Sequence, residues 1–244
     1  MSSMDIGPYY EFAKSKIGID FNDINILITA LTHRSYLNEH KKSVKEHNER
    51  LEFLGDAVLE LIVTEHLYKK FDEPEGVLTN WRSALVRTES IGEASERLGV
   101  KDLVRLSRGE KRGTERAHAQ ILANAYEAII GALYLDQGYD AAKNFIGDTL
   151  LITLEDILSS GSWVDPKSHL QEVIQSNESH TPHYKVLEED GPDHDKIFTV
   201  GVFIDGNLRG KGQGPSKQAA QVAAAETALQ ALGQSRETYN ANGR

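Results

Sequence analysis

The chain of 244 residues contains no cysteine. Disulfide bonds, metal sites with thiolate ligands and cysteine nucleophiles are therefore excluded. A chain without cysteine also fits a reducing compartment, and we expect a cytoplasmic location.

Long apolar runs are missing as well. No stretch reaches the roughly 18 consecutive apolar residues that indicate a membrane-spanning helix. The first 21 residues, MSSMDIGPYYEFAKSKIGIDF, carry charges where a signal peptide needs an apolar core. We therefore expect neither a signal peptide nor a membrane partner.

Positive charge is in short supply, because 27 basic residues face 37 acidic ones and the formal net charge is −10. Binding to phosphate groups requires local positive charge, so this balance argues against a nucleic-acid partner. A nucleic-acid partner would have to bind a local surface that carries more positive charge than the chain as a whole.

Helical periodicity dominates up to about residue 157, and strand-like alternation is almost absent there. The segment LSSGSWVDP, residues 158–166, has the composition of a linker. Beyond it follow a helix, three strands with turn glycines and an alanine-rich helix. We predict an all-α domain at 1–157, a linker at 158–166, a small α-β-β-β-α domain at 167–233 and a disordered tail at 234–244.

The segment NERLEFLGDAVLELIV, residues 48–63, reads as a helix with an acidic stripe. At about 100° per residue, Glu49, Glu52 and Asp56 fall on one side of it. The opposite side carries Leu51, Leu54, Val58, Leu61 and Ile62. Because Phe53, Leu59 and Val63 flank the stripe, the carboxylates repel one another in a partly dry setting unless a cation neutralises them. A site built from oxygen ligands indicates Mg²⁺ or Mn²⁺.

A second helix, ILANAYEAIIGALYLD at residues 121–136, repeats this pattern. It is apolar nearly all round, yet Asn124 and Glu127 share one face and Gly131 continues the line. With Gly55 beside the first stripe, the two glycines predict a close approach of the two helices around one metal site. An ordinary acidic helix surface remains the alternative.

These segments resemble the family of bacterial ribonuclease III. The signature is NERLEFLGDAVL, and the further blocks LTHRSY, FDEPEG, RSALVRTESI and ILANAYEAIIGALYLD follow in the family's order and spacing. The resemblance implies an all-helical endonuclease domain that forms a homodimer. It also implies Mg²⁺-dependent hydrolysis of double-stranded RNA in RNA processing (rRNA and mRNA), leaving 5′-phosphate and 3′-hydroxyl ends with short 3′ overhangs.

Carried over position by position, the resemblance gives roles to six residues of the first domain. It implies metal-site residues at Glu52, Asp56, Asn124 and Glu127, with Mn²⁺ as a substitute for Mg²⁺. It implies catalytic roles for Asp56, Glu127 and Asn124. It also implies a catalytic role for Glu49, either near the RNA backbone or in support of the other residues. Phe53 resembles the aromatic that inserts into the partner subunit, although an ordinary core phenylalanine is the alternative.

Residue 124 departs from the family pattern, which has aspartate there. Asparagine keeps the shape of aspartate but loses its charge, and its NH₂ group can only donate. The alternative to an active nuclease is therefore a form that binds double-stranded RNA and cleaves it poorly.

The second domain resembles a double-stranded RNA-binding domain, which reads the shape of A-form RNA rather than its bases. The matching positions imply RNA contacts at Gln171, Gln175, His194, Ser216 and Lys217, and we add Lys211 as a basic side chain that partly offsets the shortage of positive charge. Residues 165–232 nevertheless hold ten acidic and six basic side chains, and Gln218 stands where the family has a basic residue. We expect weak, salt-sensitive binding.

Three hypotheses follow: a metal-dependent nuclease, a cleavage-deficient binder of double-stranded RNA, and a helical carboxylate protein that holds a metal for another purpose. A di-iron bundle would use Glu-x-x-His pairs, whereas Glu52 is followed three residues on by Gly55, and Glu127 by Ile130. The third hypothesis is the weakest, and we expect no small-molecule cofactor.

Overall fold

The computed structural model describes residues 5–161, 163–178, 180–192 and 196–233. The chain forms two compact units that divide between Glu155 and Asp156. Helix α9 runs on to Ser160, so it covers the first residues of the expected linker. His194 and the expected tail at 234–244 lie outside the described residues. The domain boundaries given from the sequence stay a prediction.

The first unit is helical, as predicted. A π-helical turn at Ala13–Ile17 follows α1, and short 3-10 turns lie at Val100–Asp102, Glu110–Arg112 and Leu151–Thr153. The α-helices are α1 (Gly7–Phe12), α2 (Ile24–Ala30), α3 (Arg34–Glu39), α4 (Glu49–Lys70), α5 (Glu75–Val86), α6 (Thr88–Leu98), α7 (Glu115–Gln137) and α8 (Tyr139–Thr149). Helix α9 (Leu154–Ser160) follows and contains the division between the two units.

Local sequence explains where the two longest helices begin and end. Helix α4 has acidic residues in its first turn and Lys69 and Lys70 in its last, which suits the helix dipole. Helix α7 begins after Thr114, whose side chain accepts a hydrogen bond from the backbone N–H of Ala117. It therefore starts six residues before the apolar segment at 121–136 that marks it in the sequence.

Helices α4 and α7 pack directly on each other through glycines, as predicted. A Cβ placed on Gly55 would overlap the backbone carbonyl of Glu127, and one placed on Gly131 would overlap the carbonyl of Leu51. The core lies around this contact, with α6 packed on α7. Leu61 differs from the apolar pattern expected for α4. It is 58% exposed and does not join the core. Helix α4 is apolar on more than one side, and the sequence pattern does not say which side is buried.

Two carboxylates fasten the ends of these helices. The Asp136 carboxylate, near the end of α7, accepts hydrogen bonds from the backbone N–H groups of Asn22 and Asp23 at the start of α2. Glu65 of α4 binds Tyr139 and Lys143 of α8. The hydrogen bond from Lys143, with further bonds from Lys69 and Tyr139, lowers the pKa of Glu65 to about 2.

The second unit has the predicted order of elements: α10 (Pro166–Glu178), β1 (His183–Asp190), β2 (Ile197–Ile204), β3 (Asn207–Gly214) and α11 (Lys217–Ala231). The three strands form one antiparallel sheet in the order β1-β2-β3. Asp205 and Gly206 join β2 to β3 with positive φ at both positions, as the tightest hairpin turns require.

One face of this sheet is covered by the helices. Val200, Val202 and Ile204 alternate along β2 and share a core with Leu170 of α10 and with the alanines of α11. On β3 the inward positions are glycines, and a Cβ on Gly212 would overlap the backbone of α11. The other face of the sheet carries Leu187, Phe203 and Leu208, which lie around Gly201.

Among the described residues, no helix combines the length and the apolar character needed to span a membrane.

Candidate active site

The contact between α4 and α7 brings the acidic residues of both helices together. Glu52 and Glu127 are half-buried and Asp56 is exposed. Burial, followed by the charges of Asp56 and Glu52, raises the pKa of Glu127 to about 7. Burial, followed by the charges of Glu49 and Asp56, also raises the pKa of Glu52. The site therefore concentrates more negative charge than its partly dry setting stabilises.

Asn124 lies in the same cluster, and its orientation is set by a neighbour on α7. The Nε2 atom of Gln120 donates to the Oδ1 atom of Asn124 at 2.7 Å. The NH₂ group of Asn124 is thus left to donate to Glu52, which opposes the rise in the pKa of that carboxyl. Gln120 was not among the residues expected from the sequence, although its spacing of four residues places it on the same helix face as Asn124.

Glu49 is held at the edge of the cluster by basic side chains. Its carboxylate lies 3.4 Å from Nη1 of Arg34 and 3.8 Å from Nδ1 of His47. His33 caps α3, where its Nδ1 atom accepts from the backbone N–H of Ser35. His33 therefore has a structural role at the start of α3.

The donor set suits a divalent cation that prefers oxygen, because three carboxylates of like charge act on one another there. Within the described part of the chain, however, no three histidine, aspartate or glutamate side chains converge tightly enough to hold a metal ion as they stand.

Beyond Asp56, the stripe on α4 ends in an ion pair. Glu60 binds Arg82 of α5 at 3.0 Å, and Arg82 also donates to Thr64. Arg82 and Glu75, the first residue of α5, line a cavity of about 720 Å³ between the end of α4 and α5. The charge of Glu60 is therefore balanced by Arg82.

Phe53 projects from α4 with 82% of its surface exposed, so it is not a core phenylalanine of this unit. A groove of about 1020 Å³ lies beside it, and its lining includes Ile26, Leu51, Leu54 and Leu135. The groove is also lined by charged side chains such as Glu46 and Arg50. A large exposed aromatic side chain next to a groove that is partly apolar is typical of an interaction surface.

In the second unit, the expected RNA-binding residues fall into separate places. Gln171 and Gln175 are exposed one turn apart on α10, and Ser216 and Lys217 open α11. Lys211 stands apart from them, because it pairs with Gly201 on the sheet face that the helices do not cover.

A further residue near Lys217 was not expected from the sequence. The Oε1 atom of Glu189 lies 3.1 Å from Nζ of Lys217. Strand position alone does not reveal such a pair, because α11 begins 28 residues later in the chain.

Comparison with known families divides the chain at the same region as the fold. The family described as Ribonuclease-III-like matches residues 23–154. The double-stranded RNA binding motif matches residues 166–232.

Known relatives match along nearly the whole chain. A protein named Ribonuclease 3 from Enterococcus faecalis is 44% identical over 222 residues, which are 91% of this chain and 96% of that one. Ribonuclease 3 from Geobacillus thermodenitrificans is also 44% identical, over 91% of each chain. The nuclease domain of ribonuclease III from Campylobacter jejuni, a solved structure, is 40% identical with a TM-score of 0.53, and it covers 58% of this chain and 96% of its own. The chain therefore belongs to the ribonuclease III family: it is a double-stranded RNA endonuclease with a double-stranded RNA-binding domain.

Proposed function

We propose that this chain hydrolyses the phosphodiester bonds of double-stranded RNA with the help of a divalent metal ion. The products would carry 5′-phosphate and 3′-hydroxyl ends with short 3′ overhangs. The observation that carries the proposal is the meeting of Glu52, Asp56 and Glu127 at a contact between α4 and α7 that glycines make close.

We propose Mg²⁺ as the metal, with Mn²⁺ as a substitute, because both prefer oxygen ligands. Glu52, Asp56 and Glu127 are the groups that would hold it, joined by the carbonyl oxygen of Asn124 if that amide turns away from Gln120. When bound, such a cation supplies an activated water and positive charge for the scissile phosphate. It would also return Glu127 to its ionised form, because the pKa of that carboxyl is raised to about 7 in the metal-free chain.

The chain's own residues would place the substrate around this cluster. Arg34 lies beside Glu49 with its side chain largely exposed, so it is available to a phosphate of the RNA backbone. Glu49 then acts as a supporting residue that positions Arg34. Asp56, as the exposed carboxylate of the cluster, is the one nearest to an incoming substrate.

A second candidate function rests on Asn124. Its NH₂ group donates to Glu52, whereas an aspartate at this position would bring a further negative charge. A site with one carboxylate fewer binds a divalent cation less tightly. The alternative function is accordingly a protein that binds double-stranded RNA and cleaves it slowly.

We propose that the second unit holds the RNA through Gln171 and Gln175 in a minor groove and through Ser216 and Lys217 on phosphates. Exposed backbone N–H groups at the start of α11 favour an anion there. The placement of Lys211 on the uncovered sheet face argues against its joining the same contact. His194 stays a prediction from the sequence.

We further propose a homodimer in which Phe53 of each subunit enters the groove of the other. One of the matching solved structures is described as flexible in a region involved in dimer formation of its nuclease domain. A duplex has two strands to cut, and a twofold axis supplies two equivalent clusters. We also propose a cytoplasmic location and a role in the processing of rRNA and mRNA.

The test is a gel of end-labelled duplex RNA incubated with the protein and Mg²⁺, Mn²⁺ or a chelator. Cleavage with either metal and none with the chelator supports the nuclease. A duplex that is shifted by binding but stays intact with both metals supports the cleavage-deficient binder. Cleavage that continues in the chelator contradicts the metal proposal.

A further inference from the structure

In the second unit, the carboxylate of Glu189 lies between two lysines. Its Oε1 atom is 3.1 Å from Nζ of Lys217, and its Oε2 atom is 3.5 Å from Nζ of Lys196. The three residues come from different elements: Glu189 from the end of β1, Lys196 from the residue before β2, and Lys217 from the first turn of α11. Each carboxylate oxygen thus faces a different lysine.

A second contact fixes Lys217 independently of this carboxylate. Phe198 is the direct partner of Glu189 in the pairing of β1 with β2. The Nζ atom of Lys217 lies 5.5 Å from the centre of the Phe198 ring, within the range of a cation–π contact. Lys217 is also anchored at its backbone by the start of α11, where Ser216 caps the helix. The lysine therefore does not depend on Glu189 for its position.

Glu189 adds negative charge next to Lys217. Hydrogen bonds from Lys217 and Lys196, with that of Lys217 first, lower the pKa of Glu189, so the carboxylate is ionised at neutral pH. The side chain of Lys217 is 57% exposed and within reach of a ligand. The carboxylate of Glu189 already neutralises part of the positive charge of Lys217. It also repels the negative charge of a phosphate that approaches this lysine.

We propose that Glu189 competes with RNA phosphate for Lys217 and thereby sets the affinity of the second unit for duplex RNA. The inference rests on the proposed contact of Lys217 with a phosphate. Phosphate contacts carry no base information, so Glu189 acts equally on every duplex sequence. It also lowers the number of counterions that binding releases, because Lys217 is neutralised before the RNA arrives.

The experiment measures the dissociation constant of the full chain for duplex RNA of about 20 base pairs, somewhat longer than the roughly 16 that such a domain spans. A chelator is present throughout, and the salt concentration is varied. The variant is Glu189→Gln, which keeps the size of the side chain. The matched control is Glu188→Gln, which removes the same charge from the adjacent residue. Glu188 pairs with Thr199, and strand alternation places it on the opposite face of the sheet.

We expect Glu189→Gln to bind duplex RNA about two- to fivefold more tightly at low salt, since an exposed ion pair is worth about that factor. The plot of log affinity against log salt becomes steeper by up to about one unit. Glu188→Gln changes both quantities less. The inference is overturned if Glu189→Gln binds no more tightly than Glu188→Gln, or binds more weakly than the parent.

Lys217→Gln separates this inference from the function on which it rests. If Lys217→Gln weakens binding but Glu189→Gln behaves like its control, the phosphate contact stands and the role of Glu189 is wrong. If Lys217→Gln leaves binding unchanged, the proposed phosphate contact fails and the role of Glu189 fails with it. In a variant that combines Glu189→Gln with Lys217→Gln, the gain in RNA affinity from Glu189→Gln should fall to the gain that Glu188→Gln gives. A gain in affinity that persists in full contradicts the inference.

Discussion

The α-carbon of Gly55 on α4 lies so close to the backbone carbonyl of Glu127 on α7 that no side chain fits between them. This contact sets the separation of the two helices. Since Glu52 and Asp56 flank Gly55 on α4, it also sets how near their carboxylates come to Glu127. The packing of the core and the electrostatics of the site thus depend on the same atoms.

Gly55→Ala should therefore destabilise the first unit by about 1–3 kcal/mol, the usual range for overpacking a close contact. The matched control is Gly147→Ala in α8, where an added Cβ has nothing within 4 Å. There alanine should stabilise the helix by about 0.5–1 kcal/mol. Urea unfolding of both variants measures the difference, and equal effects would show that the contact between α4 and α7 is looser than described.

Asn124→Asp should increase metal-dependent cleavage of duplex RNA, because it returns a carboxylate to the cluster. Glu127→Gln should abolish cleavage with either residue at position 124. Changes at such sites commonly alter activity by about 10- to 100-fold. The measurement is the single-turnover rate on one duplex at fixed Mg²⁺, with the exposed Glu93→Gln on α6 as the control. A parent that cleaves as fast as Asn124→Asp would remove residue 124 from the metal site, and normal cleavage by Glu127→Gln would disprove the site.

The raised pKa of Glu127 predicts a pH-dependent stability in the absence of metal. Its folded-state pKa of about 7 lies above the ordinary value of 4.5, so the folded state prefers the protonated carboxyl. Ionisation then destabilises the fold fully above about pH 7, and this penalty disappears as the pH falls towards 4.5. Glutamine imitates the protonated form, so Glu127→Gln should raise the melting temperature at pH 8.5 and have little effect near pH 4.5.

Thermal unfolding in chelator at several pH values tests this, again with Glu93→Gln as the control. The informative quantity is the difference in melting temperature between Glu127→Gln and the parent. A difference that is the same at all pH values would mean that Glu127 titrates normally in the folded chain.

Phe53→Ala should shift the chain from dimer to monomer, because the exposed ring is the proposed anchor of the dimer. The control is Ile152→Ala, which removes another exposed apolar side chain far from Phe53 in sequence. Sedimentation at micromolar concentration should give a dimer for the parent and the control, and a smaller species for Phe53→Ala. A monomeric parent would contradict the homodimer, and a dimeric Phe53→Ala would place the anchor elsewhere.

The sequence predicts the elements of both units well, because helical spacing, turn glycines and capping residues are local signals. It also predicts the cluster of Glu52, Asp56 and Glu127, since helix periodicity fixes which residues share a face. The close approach at Gly55 and Gly131 follows from the same reasoning, because only glycine admits a backbone at that distance.

The remaining features depend on pairings between distant parts of the chain. Leu61 is exposed although its spacing resembles that of buried leucines, because α4 is apolar on more than one side. The ion pair of Glu189 with Lys217 depends on how α11 meets the sheet. Lys211 was grouped with other basic residues by charge alone. The glycines on either side of it, at 210 and 212, point towards α11 and show that Lys211 faces away.

The line of glycines on β3 limits how the second unit can change. A Cβ on Gly210, Gly212 or Gly214 would meet the backbone or an alanine of α11. Any larger side chain there displaces the helix, and with it the end that carries Ser216 and Lys217. A substitution at one of these glycines therefore changes RNA affinity only through a change in the fold. Gradual adjustment of RNA binding is open only to side chains outside it, such as Gln218 in the first turn of α11.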